Sequence, residues 1–293
     1  MPEPIALPHV EQRREILTPE PGGIVATTAW IPANPRAIVV FSHGHAEHSG
    51  RYPLFVNTMV SLGFAVFTLD HRGHGRSSGT RALAMRFDDY VDDLGGVLDR
   101  ATAQFPELPV ILFGHSMGGL IAIRLAEARP ERIRLLITSG PALIIDEGVP
   151  PLVTSVLSRI SRIAPTLPVP RGGDEDTLST DPAIRDGFMI DHRTWHGSTR
   201  IRTASEMIRA GRDARQKFAR LTMPLLAMHG AIDTLTSPRG TEALYAGAAT
   251  SDKTIVLWPG MKHEILNEPG RAEVIRTIVD WIVERLPETS SSR

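Results

Sequence analysis

The sequence predicts an α/β chain, with a mostly parallel central sheet flanked by helices and one inserted helical cap. Short apolar runs alternate with longer helical patterns along most of the 293 residues, as they do where helices wind over a parallel sheet. The runs are apolar at nearly every position instead of alternating, which suits strands buried on both faces. The alternation fails once, between residues 141 and 219, where prolines at 141, 150, 151, 165, 168 and 170 and Gly172-Gly173 punctuate a stretch with no buried strand.

In chain order, the expected strands are 37–41 (AIVVF), 64–69 (FAVFTL), 110–113 (VILF), 135–138 (LLIT), 225–228 (LLAM) and 254–257 (TIVL). Each ends in a polar or Gly-containing break, usually with a helix beyond. Phe87, Tyr90, Val91 and Leu94 repeat at helical spacing after the second run, residues 120–128 form a helix after the third, and Val274, Ile275, Ile278, Val279 and Ile282 mark one near the end. This divides the chain into a first core part (1–140), a cap (141–219) and a second core part (220–293), with loose ends at 1–10 and 288–293. The first cap helix carries an apolar stripe of Leu152, Val153, Val156, Leu157, Ile160 and Ile163, and its other face holds Ser, Thr, Arg159 and Arg162 without an acid. Packing by that stripe onto the main domain is the plain expectation. A lid touching lipid is the sharper one, because an apolar stripe beside arginines suits a bilayer interface.

Composition excludes several classes. Apolar residues at 42% and charged residues at 22% are those of a globular chain, not a disordered one. A net charge of −1, from 32 basic and 33 acidic residues, argues against a nucleic-acid partner. Zero cysteines exclude disulfides, thiolate metal sites and a cysteine nucleophile, and fit a cytoplasmic setting. Residues 1–15 contain no run resembling a signal peptide, and no uninterrupted apolar run is long enough to span a membrane.

The chemistry centres on Gly114-His115-Ser116-Met117-Gly118, between the VILF run and a helix. A strand, a tight glycine-bounded turn and a helix make a nucleophile elbow, which exposes a serine hydroxyl where a helix N-terminus favours negative charge. Such a hydroxyl needs a base, and the base needs an orienting acid. In α/β-hydrolases they follow in the order Ser, acid, His, on loops at strand ends. Asp233 lies just past the LLAM run, and Ser237-Pro238 already provides the next helix's start, so Asp233 is not needed as its cap. His263 follows the TIVL run in the third position of that order. His229 is the competing base, but it abuts the strand supplying Asp233 and fits a packed loop histidine better. Backbone donors for an oxyanion are expected at Met117 and, in the loop 42–48, at His45.

SHGHAEHSGRY, LDHRGHGRSSG, GHSMGG, HGAID and PGMKHEILNEP, in this order and spacing, resemble the monoacylglycerol lipase branch of the α/β-hydrolases, and so does the cap segment 178–197. The resemblance implies the α/β-hydrolase fold and a serine hydrolase that splits monoacylglycerol into fatty acid and glycerol. It implies a triad of Ser116, Asp233 and His263, an oxyanion hole from the His45 and Met117 amides, and no cofactor or metal. Lysophospholipases and carboxylesterases share the elbow and triad. One departure concerns the substrate end: the family usually has proline after the acid at the Asp191 position, and here it is His192. Candidate substrate contacts are Glu47 and Arg51 at the glycerol end, His115 beside the serine, and Leu157 and Ile160 in the cap. The expected partners are a small lipid ester and, through the cap, a membrane surface met transiently.

Two other classes compete. His43-x-His45-x-Glu47-His48 approximates the ligand set of metallo-β-lactamase-fold hydrolases, but Glu47 replaces their aspartate and the later bridging carboxylate is missing at Ser139-Gly140-Pro141. A non-catalytic binding protein on the same fold would be expected to lack a triad member, and none is lacking. Gly73-His74-Gly75 resembles a dinucleotide loop with its third glycine one residue late, and is expected to be a structural turn. Asp88-Asp89 and Asp92-Asp93 are expected on a solvated helix face.

Overall fold

A computed structural model describes residues 10–19, 23–169 and 177–286. The expected loose ends lie almost wholly outside these residues, as do Pro170 and Gly172-Gly173. In chain order come β1 (Val10–Leu17), β2 (Val25–Pro32), β3 (Ala37–Ser42), α1 (Pro53–Ser61), β4 (Phe64–Leu69), α2 (Asp88–Gln104), β5 (Val110–His115), α3 (Met117–Ala128) and β6 (Leu135–Ser139). Then follow α4 (Pro151–Ile163), β7 (Pro168–Val169), α5 (Pro182–Ile190), β8 (Thr199–Arg200) and α6 (Ile201–Arg215). The chain re-enters the sheet with β9 (Leu225–Gly230), α7 (Pro238–Gly247), β10 (Lys253–Trp258) and α8 (Arg271–Val283).

Eight strands form one sheet in the order β1-β2-β4-β3-β5-β6-β9-β10. From β4 to β10 every pairing is parallel, and β1 and β2 are added antiparallel at one edge. The central strands are buried at every position, and their alternate residues feed two cores. Ile38, Val40 and Leu112 pack with α2 and α3 on one face. Val39, Phe41, Ile111 and Phe113 pack with α1 and α8 on the other. The chain leaves β3 toward β4 and returns across it to β5, so the loops after β3 and β5 diverge at the carboxyl edge of the sheet. That switch point is where ligands bind in open parallel sheets.

The two antiparallel strands of the sheet were not expected. β1 (VEQRREIL) is largely exposed and shows no apolar alternation, as suits an edge strand whose charges discourage pairing with another chain. Asp93 is a correction: it was expected on a solvated face, yet it is buried and takes a two-pronged hydrogen bond from Arg72, at 2.7 Å to each oxygen.

Between β6 and β9 the chain runs over the carboxyl edge, and its two-residue strands β7 and β8 pair with each other. α6 carries Met207, Ala210 and Ala214 into the core beside α3. α4 lies on α6 with its polar side inward: Thr154 and Ser161 are buried, whereas Leu152 is 74% and Ile163 88% exposed. Packing through the apolar stripe is therefore overturned. At about 100° per residue, Thr154 and Ser161 share one side of the helix and Leu152 and Ile163 the opposite side. The small polar side chains allow close approach, and Arg212 on α6 donates to Thr154 Oγ1 at 3.2 Å.

Candidate active site

Ser116 occupies the single-residue turn between β5 and α3 with φ 54° and ψ −121°. This conformation is costly for a residue with a Cβ, on the order of 1–3 kcal/mol. Local bonds hold it there: Ser116 N–H donates to Ser139 O at 2.9 Å, and Ser116 O accepts from Leu120 at 3.1 Å and Ala142 at 3.0 Å. Two glycines permit the turn. A Cβ on Gly118 would strike the Ser42 and His43 carbonyls, and one on Gly114 would strike the Gly118 backbone. Met117 opens α3, so its amide is one of the first-turn donors without an intrahelical acceptor.

His263, in the loop after β10, faces Ser116 with Nε2 2.8 Å from Oγ and Nδ1 2.6 Å from Asp233 Oδ2. An ionised carboxylate only accepts, so Nδ1 carries the hydrogen and Nε2 accepts from the serine hydroxyl. Asp233 is held in turn: Oδ1 accepts from the Leu235 and Thr236 amides at 2.8 and 3.1 Å, and Oδ2 from the Thr236 hydroxyl at 2.9 Å. Burial alone would raise this carboxyl's pKa, but His263 and His229 hold it well below the usual carboxylate range. Burial pulls His263 down, yet the Asp233 carboxylate more than offsets it and the imidazole ends above its ordinary value. His229 sits fully buried with Nε2 3.0 Å from Asp233 Oδ2, and its other bonds go to the Thr241 hydroxyl and the Thr236 carbonyl, not to the serine.

The loop after β3 closes the other side. Gly44 N–H donates to Glu47 Oε1 at 2.5 Å, fixing a tight turn that presents His45 and Ala46 to the cavity over Ser116. Behind it lies a buried ion cluster. Arg51 reaches Glu47 at 2.9 Å and grips both oxygens of Glu264 at 2.6 and 2.9 Å, and the Tyr52 hydroxyl donates to Glu47 at 2.6 Å. Burial pushes the Glu47 carboxyl up against the pull of Arg51.

Of the candidate substrate contacts, Glu47 and His115 line the cavity, and Arg51, Leu157 and Ile160 do not. Arg51 is corrected to a buried counter-ion behind Glu47. Leu157 and Ile160 are absent from the lining, and Ile160 is 39% exposed on the outer side of α4. The apolar wall comes instead from Ile145, Val169, Leu178, Phe188, Met207 and Leu235. Glu264 was missed although it directly follows His263, because nothing local in the sequence reveals a partner 213 positions away.

Asp191, singled out in the sequence only through its neighbour His192, has a role of its own. It accepts from His48 Nε2 at 2.8 Å, and Trp195 N–H donates to Ala46 O at 2.8 Å, so the cap is pinned to the loop that carries His45. These bonds also remove the metal reading. His48 uses Nδ1 to accept from Gly50 and Nε2 on Asp191, while His43 bonds Gly44 O and the His71 amide. Among the described residues no group of three ligating side chains could hold a metal ion.

A serine on a strand–turn–helix at the carboxyl edge of a parallel sheet, bonded to histidine and through it to a buried aspartate, defines a serine hydrolase of the α/β-hydrolase fold. Residues 33–270 match the family described as serine aminopeptidase, S33, and the chain belongs to it. It is 35% identical over 267 residues to the monoacylglycerol lipase of Mycolicibacterium smegmatis, covering 90% of this chain and 95% of that one. It is 31% identical to the phospholipase YtpA of Bacillus subtilis, covering 84% and 95%. The crystal structure of the Paleococcus ferrophilus monoacylglycerol lipase superposes with a TM-score of 0.79 at 28% identity, over 94% of this chain and 99% of that one.

Proposed function

We propose that this chain hydrolyses monoacylglycerols, with Ser116 as nucleophile, His263 as base and acid, and Asp233 as its orienting partner. The observation that carries the reading is the cavity into which the serine opens, whose lining combines a set of apolar side chains with the polar groups of Glu47, His115 and Glu264. His263 Nε2 takes the hydroxyl proton as Ser116 Oγ attacks the ester carbonyl. The His45 and Met117 amides stabilise the oxyanion, each such donor contributing roughly 10²–10³ in rate. His263 then protonates the departing glycerol oxygen, leaving the acyl group on Ser116. Water attacks that acyl-enzyme with His263 again as base, and the fatty acid leaves. No cofactor takes part.

The apolar side chains of Ile145, Phe188 and Met207 suit one acyl chain, and Glu47 and Glu264 suit the hydroxyls of glycerol. A phospholipase reading has support in the Bacillus relative, but no Lys or Arg lines the cavity among the described residues, so no cation there would meet the charge of a phosphodiester. Aminopeptide hydrolysis is less favoured because both carboxylates are committed to Arg51 and poorly placed to hold a free ammonium group. The test is a panel of mono- and triacylglycerols, lysophospholipids and short-chain esters. Monoacylglycerol should exceed both triolein and lysophosphatidylcholine in kcat/KM by at least about tenfold, a difference that pocket fit can supply. Equal or faster turnover of lysophosphatidylcholine would replace this reading with the phospholipase one.

No helix among the described residues is long and apolar enough to cross a membrane. The outward stripe of α4 supports a peripheral contact instead. Leu152, Val153, Val156 and Ile163 form an exposed apolar face on the cap, in reach of a surface where single-chain lipids reside.

A further inference from the structure

We infer that the cleft between α4 and α6 binds the phosphate of an anionic phospholipid headgroup while the outward face of α4 lies on the bilayer. This rests on the peripheral contact proposed above and adds a specific ligand class to it. The cleft encloses about 850 Å³ and is lined by six arginines, Arg86, Arg159, Arg162, Arg202, Arg209 and Arg212, against only two carboxylates, Glu206 and Asp213.

Existing ion pairs leave part of that charge unanswered. Arg202 and Arg209 share Glu206, Arg209 also takes Asp213 and lies near Asp88, Arg86 lies near Asp89, and Arg212 reaches out to Asp146. Arg159 and Arg162 have no carboxylate partner among the described residues, and the hydroxyls of Ser155, Ser158 and Ser205 line the same cleft. A planar guanidinium offers paired N–H donors that match phosphate oxygens, and serine hydroxyls can satisfy the remaining lone pairs.

Helix geometry joins this cleft to the apolar face. Stepping about 100° per residue, Arg159 falls within about 20° of Leu152, at the margin of the exposed stripe, and Arg162 lies about 60° further round toward α6. A bilayer touching Leu152 and Ile163 therefore meets Arg159 and Arg162 at headgroup depth. The arrangement separates two tasks: the catalytic cavity, with no Lys or Arg in its lining among the described residues, takes a neutral ester, and the cleft takes the phosphate of a lipid that is not the substrate.

The test uses the full chain, sedimented with vesicles of phosphatidylcholine alone or containing about one-third phosphatidylglycerol. Phosphatidylglycerol should strengthen binding on the order of ten- to thirtyfold at low salt, the scale expected for two arginines at an anionic surface. R159Q/R162Q should lose most of that gain and keep its phosphatidylcholine binding and its turnover of a soluble ester. R134Q/R276Q removes two exposed arginines outside the cleft and should keep the gain. Retention of the gain by R159Q/R162Q, or an equal loss in R134Q/R276Q, would overturn the site. Saturable binding of inorganic phosphate without vesicles, absent in R159Q/R162Q, would reassign the cleft to a soluble ligand and overturn the lipid assignment. L152S/I163S tests the membrane contact separately. If it leaves phosphatidylcholine binding unchanged, the peripheral reading fails on its own, and a failure of the substrate panel leaves the sedimentation result standing.

Discussion

Asp233→Asn is expected to lower kcat about 10⁴-fold while leaving the protein folded, as an orienting acid replaced by its amide does in a Ser–His–Asp site. The structure supplies the cause. Asp233 Oδ2 lies 2.6 Å from His263 Nδ1 and 3.0 Å from His229 Nε2. An asparagine has one acceptor oxygen for two imidazole donors, so its amide can donate to His263 Nδ1 and force the hydrogen onto Nε2. That tautomer cannot accept the Ser116 proton. The pH profile should move as well. The wild-type reaction needs neutral His263, whose pKa lies above 6.5, so kcat/KM should rise with pH through a midpoint above that value. Without the carboxylate, burial dominates, and the midpoint of the residual activity should shift to lower pH. Steady-state kinetics across the pH range check both effects. Near-normal turnover with an unmoved acid limb would remove Asp233 from the site.

Arg51→Ala should destabilise the protein by about 3–5 kcal/mol, the cost of leaving buried charge without its partner. Two carboxylates, Glu47 and Glu264, lose their shared cation, and Glu47 also sets the turn through the Gly44 amide. The sign with pH is definite. The folded-state Glu47 pKa is already raised above 4.5 by burial, and losing Arg51 raises it further. Folding then takes up protons, so the deficit relative to wild type should shrink as pH falls from neutral toward 4.5. Thermal melts at several pH values check this, and a constant deficit would show that the cluster contributes packing instead of charge.

Much of this was legible because local chemistry and global fold agree. Five of the six parallel strands show as apolar runs since both of their faces are buried, and the sixth, β10, keeps an apolar run although it is half-buried at the sheet edge. The elbow shows because only glycine tolerates the backbone approaches at 114 and 118. The features that stayed hidden depend on contacts remote in sequence. β1 has no apolar pattern because its place at the sheet edge asks for none. α6 buries mainly small residues, so its four arginines dominate its appearance. The pairing of Arg51 with Glu264 and of His48 with Asp191 spans 213 and 143 positions. The α4 stripe was visible as a stripe, but periodicity shows only that two faces differ. Which one turns inward was decided by the polar close packing of Thr154 and Ser161 against the rest of the cap.

The most direct measurement is fluorophosphonate labelling of the intact protein, with the adduct located by peptide mass spectrometry. A serine hydrolase built as described should carry one adduct, on Ser116, because among the described serines only its hydroxyl is bonded to an imidazole backed by a carboxylate. Ser116→Ala, melting within a few degrees of wild type, should take up no label and hydrolyse no ester. An adduct on a different residue, or undiminished labelling of Ser116→Ala, would contradict the assignment of the nucleophile and the function built on it.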